Sequence, residues 1–460
     1  VSSTHPTTKT VPPSTLRRAV AASALGNAVE WFDYGIYAYG VTHISKALFP
    51  SGSDDAVAFT LLGFALSFLI RPIGGFFWGP LGDKIGRKRV LAMTILLMAG
   101  STVLVGVIPS YETIGIWAPV LLYTLRMLKG FSTGGEYGGA ATFMAEYAPD
   151  KRRGFWGSFL EFGTLGGFSA GALIMLLLIN VLDTSQMDSW GWRIPFLIAG
   201  PLGLIGSYLR SKMQDTPIYR ELEEKDEVED NPARTLRDLV AKYSPQIFQL
   251  TGLVLALNVA NYTLISYMPT YLQDAVGLSD NGALIVPIIG QLLMMAVLPF
   301  LGALSDRVGR KPMWATSLIG LGIMSVPMFA LMGTGTGGAV VGFAVLALLY
   351  APQLSTISAT FPAFFPTHVR YAGLALSYNV STSLFGGTAP LVNDRLISWT
   401  GDNLWPAYYM VIACVIGLAA LWFVIETKGV SLRGTEIPGT PEAEEEAAAD
   451  AAGASSSRIP

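Results

Sequence analysis

Apolar runs of about 20 residues or more alternate with short polar loops along most of the chain. They lie near 20–44, 57–80, 90–109, 116–144, 154–181 and 194–211, and again near 247–273, 281–304, 312–333, 338–363, 370–398 and 405–426. A helix rises about 1.5 Å per residue, so about 20 residues cross a hydrocarbon layer about 30 Å thick. The pattern predicts an all-α polytopic membrane protein with twelve transmembrane helices, six on either side of a polar stretch. The expected division is an N-terminal tail at 1–18, a six-helix bundle at 19–211, a linker at 212–246, a second bundle at 247–428 and an acidic tail at 429–460. The linker contains LRDLVAKY, whose amphipathic pattern predicts a short surface helix.

The two halves echo each other. GPLGDKIGRKR at 79–89 returns as GALSDRVGRKP at 302–312, 223 positions on. AEYAPDKRRG at 145–154 returns as AFFPTHVRYAG at 363–373, which sets Arg153 beside Arg370. Duplicated membrane halves of this kind point to transport. In the repeated loops the glycines permit a tight turn between helix ends. Asp83 and Asp306 lie where Arg87, Arg310 or a basic side chain from a neighbouring helix can reach them. These four residues, with Arg153 and Arg370, are expected to form a gate that breaks and reforms as the halves rock.

Composition agrees with a bilayer setting: 51% of the 460 residues are hydrophobic and 14% charged. The single cysteine, Cys414, excludes disulfides, and nothing predicts a metal site or a cofactor. No basic patch with interleaved aromatics suggests nucleic acid, and no nucleophile–base constellation suggests an enzyme. LRRAVAASALG starts like a signal peptide but runs into carboxylates at 30 and 33, so it is read as a retained first helix. Lys84, Arg87, Lys88, Arg89, Lys151, Arg152, Arg153, Arg307, Arg310 and Lys311 fall in even-numbered loops, whereas odd loops carry mainly acids. Positive-inside logic then places both termini in the cytoplasm of a plasma-membrane protein. The closing AEEEAAADAAGASSSRIP is acidic and poor in large apolar residues, so the tail is expected to be disordered and lacks a coiled-coil heptad.

The loop GPLGDKIGRKR resembles the signature of the major facilitator superfamily. GNAVEWFDYGIYAYG (26–40), KGFSTGGEYGGAATFMAEYAPDKRRGFWGS (129–158) and DSWGWRIPF (188–196) resemble the metabolite:proton symporters within it. NVANYTLISYMPTYL (258–272) and FPTHVRYAGLALSYNVS (365–381) are most similar to bacterial osmoprotectant:proton symporters, which take up proline and glycine betaine. The resemblance implies the major facilitator fold and alternating access, with a proton and a small solute as partners in the lipid bilayer and a monomer as the working unit. Lys129 departs from the family pattern, which usually has Gln there, and adds a cation to the fourth segment.

Charges inside a bilayer are costly, so they pair, titrate or line a cavity. Asp33 is the first choice for the proton, ahead of Glu30 and Glu136, with Glu161 the weakest candidate; a carboxyl whose surroundings change as the cavity opens can load and release a proton. Arg71, Arg126 and Lys129 are candidates for a solute carboxylate. Trp31, Tyr34, Tyr37, Tyr262, Tyr267 and Tyr378 are candidates for a quaternary ammonium through cation–π attraction, and Asn258, Asn261 and Asn379 for polar ends. The three cations also fit an alternative reading, proton symport of an organic acid such as 2-oxoglutarate, shikimate or citrate. The histidines are read as incidental, His43 included, with His368 at the surface or gate.

Overall fold

The computed structural model describes residues 13–445 apart from 54, 86, 135–140, 143, 147, 212–231, 368, 433 and 435. Among them there is no strand. The first half of the chain folds into α1 (Pro13–Tyr39), α2 (Ala56–Leu69), α3 (Arg71–Ile85), α4 (Arg87–Gly106), α5 (Trp117–Thr133), α6 (Arg153–Val181) and α7 (Ile194–Ser211). The second half gives α8 (Pro232–Asn261), α9 (Asp280–Val308), α10 (Arg310–Met332), α11 (Thr336–Thr360), α12 (Arg370–Ser381), α13 (Ala389–Thr400) and α14 (Trp405–Phe423). Among the described residues, seven helical stretches are long and apolar enough to cross a membrane. Helix α1 is not one of them, because Asn27, Glu30 and Asp33 interrupt its apolar run. Trp422, Trp399, Phe248 and Phe300 are at least three-quarters exposed. In water such a surface would be a liability, and against lipid it is the solvent-facing side.

Small residues set the helix contacts that build the centre. A Cβ on Gly163 would run into the Ala24 carbonyl, and one on Gly167 into the Ala28 carbonyl, so α6 lies backbone to backbone on α1. At its start α6 crosses α9 in the same manner through Gly154 and Gly302. Thus α6 touches both halves of the chain and fixes how they meet.

Two helices of the second half lose regular geometry where they approach this centre. α8 runs into a π-helical turn at Tyr262–Tyr267, and α12 into another at Thr382–Gly386. Such turns leave backbone groups partly unpaired and are tolerated in a membrane only inside protein. Here side chains hold the turns: the Asn258 amide of α8 donates to the Thr382 hydroxyl (2.9 Å), and the Asn393 amide of α13 donates to the Thr263 hydroxyl (2.9 Å).

Within α8 the backbone breaks at non-helical Tyr243, two residues before Pro245, so a first helical piece from Pro232, which holds LRDLVAK, precedes a second that runs to Asn261. Leu239 and Tyr243 are buried, so the amphipathic face seen in the sequence has a core to join. One expectation needs correction: the tail is not disordered from 429. Leu432 is buried with Ala145 and Ala363, and the Thr367 hydroxyl donates to the Leu432 carbonyl at 2.9 Å. Disorder was read from the low-hydrophobicity run, which begins only after Val430, Leu432 and Ile437 have found apolar partners or backbone contacts.

Candidate translocation site

A cavity opens where α1 and α6 face α8, α11 and α12. From the first half it is lined by Trp31, Glu161 and Thr164; from the second by Asn258, Asn261, Tyr350 and Tyr378, with Leu257, Leu354 and Ile357 completing the wall. It is nearly shut. The centre of a water-sized sphere has about 10 Å3 in which to move, which is room for about one water. The wall is held from behind. The Asn27 amide donates to the Thr164 hydroxyl (2.6 Å) and the Leu160 carbonyl (3.0 Å), while the Trp31 indole donates to Asn27 Oδ1 (3.1 Å). Across the cavity the Tyr350 hydroxyl donates to Asn261 Oδ1 at 3.1 Å.

Most of the predicted charges are gathered one layer away, around the Tyr34 ring. Lys129 is in contact with the Asp33 carboxylate and lies 3.2 Å from the Tyr34 ring centroid. Arg126 reaches Asp33 at 3.4 Å and stacks over Tyr37 at 4.0 Å. Arg71 donates to the Tyr34 hydroxyl (2.6 Å), lies 3.9 Å from Glu30 and sits 4.2 Å over the Phe68 ring. All five charged side chains are at least 96% buried. Three cations therefore face two carboxylates, each held by a specific partner and by ring faces. Trp31 lines the cavity and also touches this cluster, with its ring 5.4 Å from Tyr34 and 6.4 Å from Tyr262.

The predicted residues therefore divide. Trp31, Glu161, Asn258 and Tyr378 line the cavity; Glu30, Asp33, Tyr34, Arg71, Arg126 and Lys129 form the cluster. Tyr262 backs Trp31 against Phe64 and Phe68, and the Asn379 amide crosses to the Gly134 carbonyl at 2.9 Å. Glu136, His368 and the side chains of Asp83 and Arg87 lie outside the described residues. Asn261, a candidate for polar ends, also lines the cavity, whereas Asn27, Tyr350 and Thr382 were missed. A lone polar residue in an apolar run was the one available signal, and it does not say which way the side chain points.

Both ends of the cavity are closed by bridges between the halves. At the end with the basic loops, Asp306 accepts from the backbone N–H of Gly154 (2.8 Å) and Phe155 (3.0 Å) and pairs with Arg310 (2.7 Å). An acid of the second half thus caps the start of a helix in the first. Arg153 donates to Asp150 (2.5 Å) and to the Val430 carbonyl (2.9 Å). Arg370 pairs with Glu146 (3.2 Å) and donates to the Leu432 carbonyl (2.5 Å). The residues after α14 so form a strap over the two echoed arginines. Glu426 fastens its root by accepting from the N–H of Arg310 (2.8 Å) and Lys311 (3.0 Å).

At the opposite end Gln291 donates to Tyr39 (2.6 Å) and accepts from Ser169 (2.9 Å), Thr42 donates to Gln273 (2.7 Å), and Arg395 pairs with Asp55. His43 is not incidental: its Nδ1 lies 2.6 Å from Asp188, which also holds Lys46 at 3.1 Å. The arrangement is a small pocket between two sets of contacts that join the halves.

Residues 23–390 match the family model described as Major Facilitator Superfamily. The chain is 42% identical over 428 residues to the glycine betaine/proline/ectoine/pipecolic acid transporter OusA of Dickeya dadantii, covering 91% of this chain and 85% of that one. It is 41% identical over 428 residues to the proline/betaine transporter of Escherichia coli strain K12, with the same coverage. The chain belongs to the major facilitator superfamily, in its proline/betaine osmoprotectant:proton symporter group. The ectoine/proline transporter ProP of Corynebacterium glutamicum is 42% identical over 440 residues, or 92% of this chain and 87% of that one. The fold agrees with solved major facilitator structures. The proton:xylose symporter XylE bound to 6-bromo-6-deoxy-D-glucose superposes with a TM-score of 0.71 at 18% identity, covering 92% of this chain and 98% of that chain. Membership makes the chain a multi-pass membrane symporter and not an enzyme.

Proposed function

We propose that this protein takes up a small zwitterionic osmolyte, such as glycine betaine or proline, together with a proton by alternating access. The observation that carries the proposal is the enclosed cavity where the halves meet, walled by Trp31, Tyr350 and Tyr378 with amides at Asn258 and Asn261. Ring faces attract a quaternary or secondary ammonium without fixing its orientation, at about 0.5–2 kcal/mol each. The amides suit the carboxylate end. Relatives named as betaine and proline transporters at about 40% identity support the same substrate class.

In this reading the chain has twelve transmembrane helices in two pseudo-symmetric bundles, 19–211 and 247–428, with the ends and the basic loops in the cytoplasm, and it acts as a monomer. The Asp306–Arg310 and Arg153–Arg370 region is the cytoplasmic gate, and Gln291, Tyr39 and Gln273 belong to the outer one. The organic-acid alternative rested on Arg71, Arg126 and Lys129. Those cations are engaged with Asp33, Glu30 and aromatic rings and do not line the cavity. Uptake into proteoliposomes under an inward proton gradient tests the proposal. Competition by betaine and proline supports it, and competition by a dicarboxylate in their place refutes it.

A further inference from the structure

We infer that Glu161 couples the proton to the solute: its protonated carboxyl donates a hydrogen bond to the carboxylate of the bound zwitterion. This rests on the substrate reading above and assigns the coupling to a residue the sequence ranked last. Glu161 is the one charged side chain among the residues lining the cavity, and it is 3% exposed. Of the acids ranked above it, Glu30 and Asp33 stand in the charge cluster and not in the cavity wall, and Glu136 lies outside the described residues. Asp33 is held by Lys129 and Arg126, and protonating it would leave three cations facing Glu30 alone.

The chemistry sets the sign of the coupling. An ionised Glu161 facing the solute's carboxylate places two anions in one small, nearly dry space. Both cannot stay charged there without a cation between them. Adding a proton to Glu161 removes the repulsion and supplies a donor in the same step. The Tyr350 hydroxyl already donates to Asn261 Oδ1 and the Asn258 amide to Thr382, so the Asn261 amide and the Thr164 hydroxyl are the donors that can join the Glu161 proton on the solute's carboxylate. The ammonium end is left to the rings of Trp31, Tyr350 and Tyr378. The proton comes from outer water, rides on a Glu161 oxygen while the solute is bound, and leaves to inner water once the solute has gone.

Few ionisable groups face Glu161. The second half contributes the phenols of Tyr350 on α11 and Tyr378 on α12. Helix α9 brings Gln291 at its middle and charges only at its ends, Asp280, Asp306 and Arg307, while the charges of α8 lie before Tyr243. On α1, Glu30 and Asp33 are the paired acids of the cluster.

Linkage makes the coupling reciprocal: the proton strengthens solute binding by the factor by which the solute strengthens proton binding. With one proton per solute, affinity for glycine betaine falls by up to about tenfold per pH unit above the carboxyl's titration range in the empty site. The test measures radiolabelled betaine binding to the purified full chain across pH, and betaine uptake in proteoliposomes. For the unmodified protein, affinity should rise as pH falls, and betaine added to a weakly buffered sample should draw in about one proton per site. In Glu161→Gln, a neutral side chain that still donates, binding and exchange should become insensitive to pH, and proton-driven accumulation should be lost. Glu161→Asp should restore both. Accumulation or pH-dependent affinity surviving in Glu161→Gln would overturn the inference and leave the substrate reading standing. If Glu161→Gln does not fold, the absence of proton uptake by the unmodified protein overturns it equally. Failure of the unmodified protein to bind betaine or proline would overturn the substrate reading and this inference with it.

Discussion

Replacing Asp33 with Asn should damage the fold, and removing the opposing cation should repair it. The cluster holds three cations, Arg71, Arg126 and Lys129, against Glu30 and Asp33, an excess of one positive charge. Asp33→Asn leaves three against one. Lys129 and Arg126 then lose their acid inside a site that is at least 96% buried, with ring faces as the remaining partners. Breaking a buried pair in this way costs about 3–5 kcal/mol. Adding Lys129→Gln brings the count to two against one, the same excess as in the unmodified chain, so most of that loss should return. A double-mutant cycle should give a coupling energy near the top of the usual range, about 2–3 kcal/mol. The chain carries its own reporter, because Cys414 is the single cysteine and is buried. A dye that fluoresces on reacting with a thiol reads the unfolding of purified protein directly as temperature rises. The double variant should also keep proton-driven accumulation, since Asp33 acts here as a structural partner. A double variant as unstable as Asp33→Asn alone would refute the charge-balance argument. Normal stability with accumulation lost would return Asp33 to the proton path.

Four further outcomes are expected. Gly167→Val should cost about 1–3 kcal/mol in the same assay, because its side chain would meet the Ala28 carbonyl and the Phe32 amide on α1. Leu432→Asp should loosen the strap over Arg153 and Arg370; with Cys414→Ser and a reporter at buried Ser358→Cys, thiol labelling from the cytoplasmic side should speed up. Asp306→Ala should release the same gate through the loss of the cap on α6, worth about 0.5–2 kcal/mol, whereas breaking the half-exposed Asp55–Arg395 pair should change stability by about 1 kcal/mol at most.

Much of the architecture was legible along the chain. Length and hydropathy are local quantities, so twenty apolar residues announce a span wherever they end up. The echo of GPLGDKIGRKR by GALSDRVGRKP announces a duplicated build, and the basic loops predict its orientation. Residue type alone also marked the buried acids, the aromatics and the cations as costly to bury and so worth explaining. Partnership is another matter. Asp33 and Arg126 are 93 positions apart, and Tyr39 and Gln291 are 252 apart. Which acid pairs and which faces the solute depends on how α6 seats on α1 through Gly163 and Gly167, and on rotations of each helix by a fraction of a turn. A period of 3.6 residues places Glu30 and Asp33 near one face without saying what that face meets. Only the packed structure put Lys129 against Asp33, left Glu161 in the cavity, and brought the residues after Val424 back over the gate. Side-chain partners are set by the sum of many helix contacts, and no short stretch of sequence contains that sum.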